Sequence, residues 1–567
     1  MESGRTMNHA QGRVGTAARF ALVSAAVILV TGLPYLYGFA AAGPDRVFTG
    51  LMYDVPDHAQ YWSWVTASRE SLFISNTMTP EANPPIFTNP MMWALAQVQR
   101  AFGLSFPALF QVWRFAAVFS LVAALWWFVS VMVPERARRR TAFWLSLAGS
   151  GLGWALIVGK VALRLPDAPY PVDIYTIEPN TFWGLLAYPY LPLAQSLLLA
   201  SVVCVWRAHK RPSVPAFFLA GLASLALALV HAYDLIVLYA VIGAFGLALL
   251  ARDRRLPLAL AGAGLTVAAC SAPMAWYFQS LTSSNPLWRS ILAQYSGAGV
   301  WTPRHVHLIV LMGLPLILAV PGFFRRGPRT DERLLVSAWA AVGLVLIYLP
   351  VVFQIKMLGG WQFPIAALAA GAWHESVEPW ISRKFPRRVG GVSAVTAARA
   401  LLLLAVLPTN VYLYAWRFVE LRRQAPPYYL HRDEAAALDW LRHHAAPEDV
   451  VLAPEAIGQF VPNYGESRAY LAHWAMTNRY HERVARVRAF FDPDVVDAWR
   501  AQLLRQEGVT LVLRAGSVPG LPRLYDPGGS PLWDALFQSP RAQIYRLRPA
   551  PPVEVAEQGS PGGRGVR

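Results

Sequence analysis

The sequence predicts a polytopic α-helical membrane protein of about eleven transmembrane helices, followed by a C-terminal extracytoplasmic α/β domain. Three observations carry this expectation. Of 567 residues, 55% are hydrophobic and only 15% charged, and the mean hydropathy is +0.35. A soluble globular chain carries about 25% charged residues, so an ordinary soluble enzyme is excluded. Apolar runs long enough to cross a bilayer, about 17–25 residues each, recur through two thirds of the chain and are missing near its end. Basic residues sit in alternate connections between those runs.

The runs lie near 18–41, 108–133, 141–162, 188–206, 214–230, 234–251, 256–278, 305–323, 333–353, 358–376 and 393–416. Arg5, Arg13 and Arg19 lie before or at the start of the first. Later basic groups are Arg136, Arg138, Arg139 and Arg140; Arg207, Lys210 and Arg211; Arg252, Arg254 and Arg255; Arg325, Arg326, Arg329 and Arg333; and Arg383, Lys384, Arg387 and Arg388. By the positive-inside rule these connections face the cytoplasm. The segment 1–17 is then a cytoplasmic N-terminus, and an odd number of spans puts everything after about 417 outside. The formal charge of +17 therefore reports orientation in a multi-pass plasma membrane protein, and no nucleic-acid partner is needed to explain it. The first run is too long for a cleavable signal peptide and has no small-residue cleavage site after it. Cys204 and Cys270 both fall in expected spans, which leaves no disulfide framework and no CxxC metal pair.

The external connection 42–107 suggests two surface helices near 57–70 and 89–103, with Trp62, Trp64 and Trp93 at the membrane interface. The link TPEANPPIFTNP (79–90) separates them, because Pro at that density stops a helix. The membrane part, including this connection, runs over 18–416. Residues 424–549 alternate helices near 433–445, 479–491 and 495–505 with strands at Val450–Leu452, 509–513 and 544–547, the pattern of an α/β domain. The tail 550–567 reads as disordered. No internal repeat suggests the paired halves of a secondary transporter.

The strongest local signal is Asp54-Val-Pro-Asp57-His58-Ala-Gln-Tyr61-Trp62 after the first run. If the segment is helical from Pro56, Asp57 and Tyr61 share a face. A carboxylate here suits a general base toward a hydroxyl or a ligand of a hard divalent cation. Equally, Asp57 caps a surface helix and Asp54 is merely solvated. No Walker A, GxGxxG, HExxH or GxSxG motif is present.

The stretch Asp57-His58-Ala-Gln-Tyr61-Trp62 after the first helix resembles the acidic-x-x-x-Tyr pattern of the GT-C superfamily of membrane glycosyltransferases, in its aminoarabinose transferase and protein O-mannosyltransferase branches. Segments 72–90, 231–240, 353–370 and 470–491 are similar, in order, to uncharacterised bacterial GT-C-like proteins. The resemblance implies a GT-C-like fold and an inverting transfer of a sugar from a polyprenyl-phosphate donor to a glycan, lipid or protein acceptor outside the bacterial inner membrane. Asp57, or Asp54 if the register differs, would be the base. His58 stands where a second acid is common, so the use of Mg2+ or Mn2+ by Asp54 and Asp57, the only cofactor implied, stays open.

A leaving lipid phosphate needs a fixed cation. Lys356, beside Gly359 and Gly360, is the leading candidate, although a snorkelling lysine fits the same position. Arg304, with His305 and His307, is the second, with an interfacial anchor as its alternative. His231, Tyr233 and Asp234 sit at an outer helix turn, where Asp234 serves a substrate or caps a helix. Glu81 and Asn83, and Glu178 and Asn180, are loop residues with substrate contact as the second reading. His58, Tyr61 and Trp474 complete the candidate substrate set, Trp474 and His473 lying in a cluster (472–481) suited to sugar rings or to seating the C-terminal domain. His374 and Glu375 fall on the cytoplasmic side and are set aside. The rival readings are a transporter or flippase of lipid-linked sugars, favoured by Arg114 inside the second run, and a non-catalytic envelope assembly protein.

Overall fold

Every apolar run is helical over most of its length in a computed structural model that describes residues 2–298, 301–325, 327–386 and 392–548. The side chains of 2–17 and 295–298, together with Arg326, Arg387, Arg388 and the tail at 550–567, lie outside the described residues. The first run belongs to α1 (Glu2–Ala40). The connection after it holds β1 (Arg46–Phe48), α2 (Val55–Ala67), β2 (Phe73–Ile74), β3 (Phe87–Thr88) and α3 (Pro90–Phe102). Both expected surface helices form. Their starts follow Pro placement, since a missing N–H costs nothing in a first turn, and the Asn89 side chain caps α3 by accepting from Met92 N–H at 3.2 Å. Two of the three tryptophans turn inward: Trp62 stacks on Phe106, ring centroids 3.9 Å apart, and Trp64 packs on Phe87 at 4.7 Å. Trp93 alone is exposed.

The bundle continues through α4 (Phe106–Met132), α5 (Arg136–Ala148), α6 (Gly153–Ala162), α7 (Thr181–Ala187), α8 (Tyr190–Lys210), α9 (Val214–Val230), α10 (Asp234–Asp253), α11 (Leu258–Ser284), α12 (Pro286–Ala298) and α13 (His305–Phe324). It closes with α14 (Asp331–Leu346), α15 (Gln362–Ala372), α16 (Glu378–Lys384), α17 (Ala394–Ala405) and α18 (Pro408–Arg422). Among the described residues six helices are long and apolar enough to cross a membrane, and eight if the bent pairs α5–α6 and α17–α18 each count once. This polytopic bundle thus has fewer full-length spans than the eleven expected. Glycines at 149, 151 and 153 and Pro408 break two runs, while Pro350 stops the run that began as α14, leaving it 16 residues long. The core gathers Trp339, Phe363 and Leu198. A Cβ on Gly343 would lie 2.2 Å from the Trp361 ring, so only glycine lets α14 meet it.

Ion pairs join the basic connections to one another at one end of the bundle. Lys210 and Arg252 each lie 2.8 Å from Asp331, and Arg138 and Arg325 share Glu375. The first long connection gathers instead with the C-terminal stretch, which comprises β4 (Tyr429–His431), α19 (Arg432–His444), β5 (Val450–Leu452), α20 (Glu455–Gly458), α21 (Val461–Tyr464) and β6 (Arg468–Ala469), then α22 (Tyr480–Phe491), α23 (Asp497–Glu507), β7 (Leu511–Ala515), β8 (Trp533–Gln538) and β9 (Ala542–Leu547). One sheet has the order β6-β5-β7-β9-β8, with β5 parallel to β6 and β7, and β9 antiparallel to β7 and β8. β6 has two residues, and the edge strand β8 leaves most of its side chains partly or fully exposed, so neither carries a readable alternation.

β1 pairs antiparallel with β4, Val47 opposite Leu430, and Ala469 N–H donates to Thr77 O at 2.9 Å. A second tie is ionic. Glu81 accepts from Asn478 at 3.0 Å and from Arg483 at 2.6 Å, and Arg483 also reaches Glu507 at 3.1 Å. Arg483 is buried and is the cation common to both carboxylates, so Arg483→Ala removes the bond across the junction, while Glu81 keeps Thr79 and Asn478 and Glu507 keeps Arg486. A loss of about 1.5–3 kcal/mol is expected, measured as a fall in the melting temperature of the purified protein.

Candidate active site

α2 begins at Val55, and Asp54 occupies its cap position in the left-handed region (φ 42°, ψ 56°) without using its side chain as a cap. Such a conformation costs a non-glycine residue roughly 1–2 kcal/mol. It leaves the Asp54 carboxylate beside that of Asp57 in the first turn, so the reading of Asp57 as the cap with a merely solvated Asp54 is corrected. The Tyr188 hydroxyl donates to Asp57 Oδ2 and, at 3.4 Å, to Asp54 Oδ2. The other Asp57 oxygen accepts from His473 Nε2–H at 2.9 Å. Ala475 N–H donates to His473 Nδ1 at 3.1 Å, which fixes that tautomer. His58 lies beneath the pair: its Nδ1–H donates to the Asp54 carbonyl at 2.8 Å, and its buried ring touches Tyr61, Phe110 and Tyr188 edge-on.

Lys356 lies on the short 3-10 turn Gln354–Leu358, and its ammonium donates to Glu178 Oε1 at 2.9 Å. Lys356 and Asp57 keep 23% and 28% of their side-chain surfaces open, whereas Glu178 and His473 keep 6% and 2%. The first two are therefore the groups a substrate can meet, and the second two hold them. Gly359 and Gly360 are buried, and Gly360 (φ +84°) packs on Leu198, so the glycines seat the turn in the bundle. Tyr190 stands among the charges of Lys356, Glu178, Asp57 and Asp234. Asp234 lies in the first turn of α10, 3.1 Å from His231 Nδ1 but poorly aligned for a hydrogen bond.

Other candidates are placed differently. Arg304 is exposed at the start of α13, on a loop tied to the Lys356 segment by Thr302 N–H to Gln354 (2.9 Å) and Tyr348 hydroxyl to Pro303 O (2.8 Å). Glu81 is taken up by Thr79, Asn478 and Arg483. Trp474 follows His473, with ring centroids 5.7 Å apart. Arg114 donates to Thr31 and Gln111, which joins α1 to α4 and accounts for its charge inside the bundle. The sequence places Glu178 as a loop residue and does not single out Tyr188. One signal is present for each: an acid in a largely apolar connection, and a tyrosine pair flanking Pro189.

The two acids separate electrostatically. Burial and the neighbouring Asp57 charge push Asp54 up to about 6. Burial acts on Asp57 as well, but the His473 hydrogen bond and charge, the Tyr188 hydroxyl and the Lys356 charge outweigh it and bring Asp57 to about 2. Lys356 is held well above its ordinary value because Glu178, Tyr190 and Asp57 outweigh burial.

No family model and no curated protein sequence matches the chain. Solved structures do match. The apo oligosaccharyltransferase of Archaeoglobus fulgidus aligns at 11% identity and a TM-score of 0.52, over 87% of this chain and 69% of that one. The same enzyme in complex with Zn and sulfate aligns at 12% and 0.50, over 85% and 67%. ArnT from Cupriavidus metallidurans, in the apo state, covers 94% of this chain and 98% of that one at 13% identity and a TM-score of 0.49. The oligosaccharyltransferase likeness is one of fold, and the fold is the GT-C-like one expected from the sequence.

The pKa directions have opposite consequences for stability. Asp54, raised from 3.8 to about 6, contributes stability below about pH 3.8 that is lost as pH rises through about 6. Asp57, lowered to about 2, contributes stability above about pH 3.8 that is lost as pH falls through about 2. Melting curves from pH 4 to 8 are expected to place Asp54→Asn above wild type beyond pH 6, with the gap closing toward pH 4, and Asp57→Asn below wild type throughout.

Proposed function

We propose that this chain is an integral membrane glycosyltransferase that moves a sugar, with inversion, from a polyprenyl-phosphate-linked donor to an acceptor outside a bacterial inner membrane. The observation that carries the reading is the pair Asp54 and Asp57, shared by Tyr188 and backed by His473, with Lys356 close enough to lower Asp57. The GT-C-like fold supports it. So does the gathering of the basic connections at one bundle end, where the positive-inside rule expects the cytoplasm. In this reading the first connection and the α/β unit at 424–549 face outward, and the acceptor is a glycan, lipid or protein.

The acceptor hydroxyl attacks the anomeric carbon on the face opposite the lipid phosphate. Its C–O bond forms as the sugar–phosphate bond breaks, and the hydroxyl proton passes to a carboxylate. Asp54 is the better base, because a value of about 6 keeps it ionised at neutral pH with useful proton affinity. Asp57, at about 2, stays ionised and orients hydroxyls. Charge growing on the departing phosphate meets Lys356, which Glu178 holds in place. His231, Asp234, Tyr61 and Trp474 border the sugar or acceptor.

Asp54 and Asp57 together fit a hard divalent cation such as Mg2+ or Mn2+, which is commonly held by one or two carboxylates while phosphate and water oxygens complete its shell. Among the described residues no group of three or more His, Cys, Asp and Glu side chains is placed to hold a metal without such oxygens. When bound, the ion supplies positive charge to the donor phosphate.

With purified protein and a polyprenyl-phosphate sugar, Asp54→Asn is expected to lower kcat/KM about 10²–10⁴-fold. In wild type kcat/KM should rise with pH up to about 6 and then level. Lys356→Met should weaken donor use. Wild-type transfer by both Asp54→Asn and Asp57→Asn would overturn the reading.

A further inference from the structure

Three broken helices meet away from the acidic pair. α5 and α6 are separated at Gly149–Leu152 and bent by 49°, α17 and α18 at Val406–Leu407 by 44°, and α13 leaves helical geometry at Gly313 (φ 61°, ψ −147°). The breaks touch one another. Ser150 N–H donates to Val406 O at 3.0 Å and Leu152 N–H to Val310 O at 2.7 Å, and a Cβ on Gly313 would lie 2.6 Å from Ser150 O.

Asp173, on the short turn Val172–Ile174, reaches into this junction with only 2% of its surface exposed. Its Oδ2 accepts from Gly153 N–H at 2.8 Å and from the Thr409 hydroxyl at 3.0 Å, while its Oδ1 has no hydrogen-bond partner. No Lys, Arg or His among the described residues forms an ion pair with it.

Acceptors outnumber protons here. Thr409 Oγ1 accepts from Trp154 N–H at 3.3 Å, and its single hydroxyl proton faces both Asp173 Oδ2 and Gly151 O, the latter also at 3.0 Å, so only one of the two receives it. Pro315 has no N–H to offer the Leu311 carbonyl four residues before it. That carbonyl lies 2.8 Å, and Asp173 Oδ2 2.4 Å, from the point a Cβ on Gly151 would take. A buried carboxylate with no positive partner is costly. Apart from the Gly153 and Trp154 N–H groups, the polar atoms gathered here are oxygens, which suit a hard cation, and carbonyls released at helix breaks are used for such ions.

We propose that this junction binds a monovalent cation of the sodium class, held by the Asp173 carboxylate, the Gly151 and Leu311 carbonyls and Thr409 Oγ1. One carboxylate balances one positive charge. The ion ties α6, α13 and α18 together, and through Asn410 it bears on α7: Asn410 Nδ2 donates to Ala148 O at 3.0 Å, and its Oδ1 accepts from Asn180, the cap of α7, at 2.8 Å. α7 leads directly to Tyr188.

The test uses the full chain, purified in detergent and exchanged into choline chloride. Added NaCl at constant ionic strength should raise the melting temperature saturably, and radioactive sodium should bind with about one ion per chain. Asp173→Asn should remove both effects. Should that variant fail to fold, Thr409→Val should weaken sodium binding about 10-fold. Asp57→Asn should leave sodium binding unchanged, so that the outcome is independent of glycosyl transfer. A folded wild type that binds no sodium and melts identically in choline, sodium, lithium and potassium would mean that the carboxyl carries a proton, and would overturn the proposal. Undiminished sodium binding by Asp173→Asn would overturn it equally.

Discussion

The hydrogen bond from His473 to Asp57 joins residues 416 positions apart, and it forms only when the C-terminal stretch is docked on the first long connection. Much of the surrounding architecture serves that docking. β1 pairs with β4, Thr77 receives Ala469, and Arg483 crosses to Glu81. Three separate ties hold the two stretches together, so the imidazole arrives with little freedom. Its tautomer is set by a backbone N–H two residues on. A donor fixed in this way costs no reorganisation when charge moves near it.

Two carboxylates this close cannot share one environment without consequence. Burial and mutual repulsion raise the less-supported acid, Asp54, and the donors concentrated on Asp57 lower the other. Tyr188 touches both, so the difference rests on the His473 contact and on Lys356. The same principle orders the second charge site: Glu178 is buried and holds the partly open Lys356, in the way that His473 is buried and holds the partly open Asp57. Hidden groups position and open groups meet substrate.

Broken helices are the bundle's other recurring device. Glycine and proline interrupt runs that hydropathy alone reads as continuous, and the freed backbone groups find partners across the breaks rather than within one helix. Among the described residues such breaks bend two of the eleven apolar runs, and three more fall short of a full span by the lengths of α9, α14 and α15. The same device puts Asp173 among carbonyls, where no cationic side chain among the described residues pairs with it.

Composition and charge placement alone identified a polytopic helical membrane protein, because burial in a bilayer demands long apolar runs and loop charge records orientation. Local pattern picked out Asp54, Asp57 and Lys356, and the helix–strand alternation after 424. Glu178 as partner of Lys356, Tyr188 as bridge between the acids and His473 as support for Asp57 were decided by tertiary structure, since each acts on a residue more than 100 positions away. The inward turn of Trp62 and Trp64 was decided there too: an aromatic suits an interface and a core equally, and only the neighbours Phe106 and Phe87 choose between them. Chemistry that resides in a side chain is legible in one dimension, and chemistry that arises from the distance between two is set by the fold.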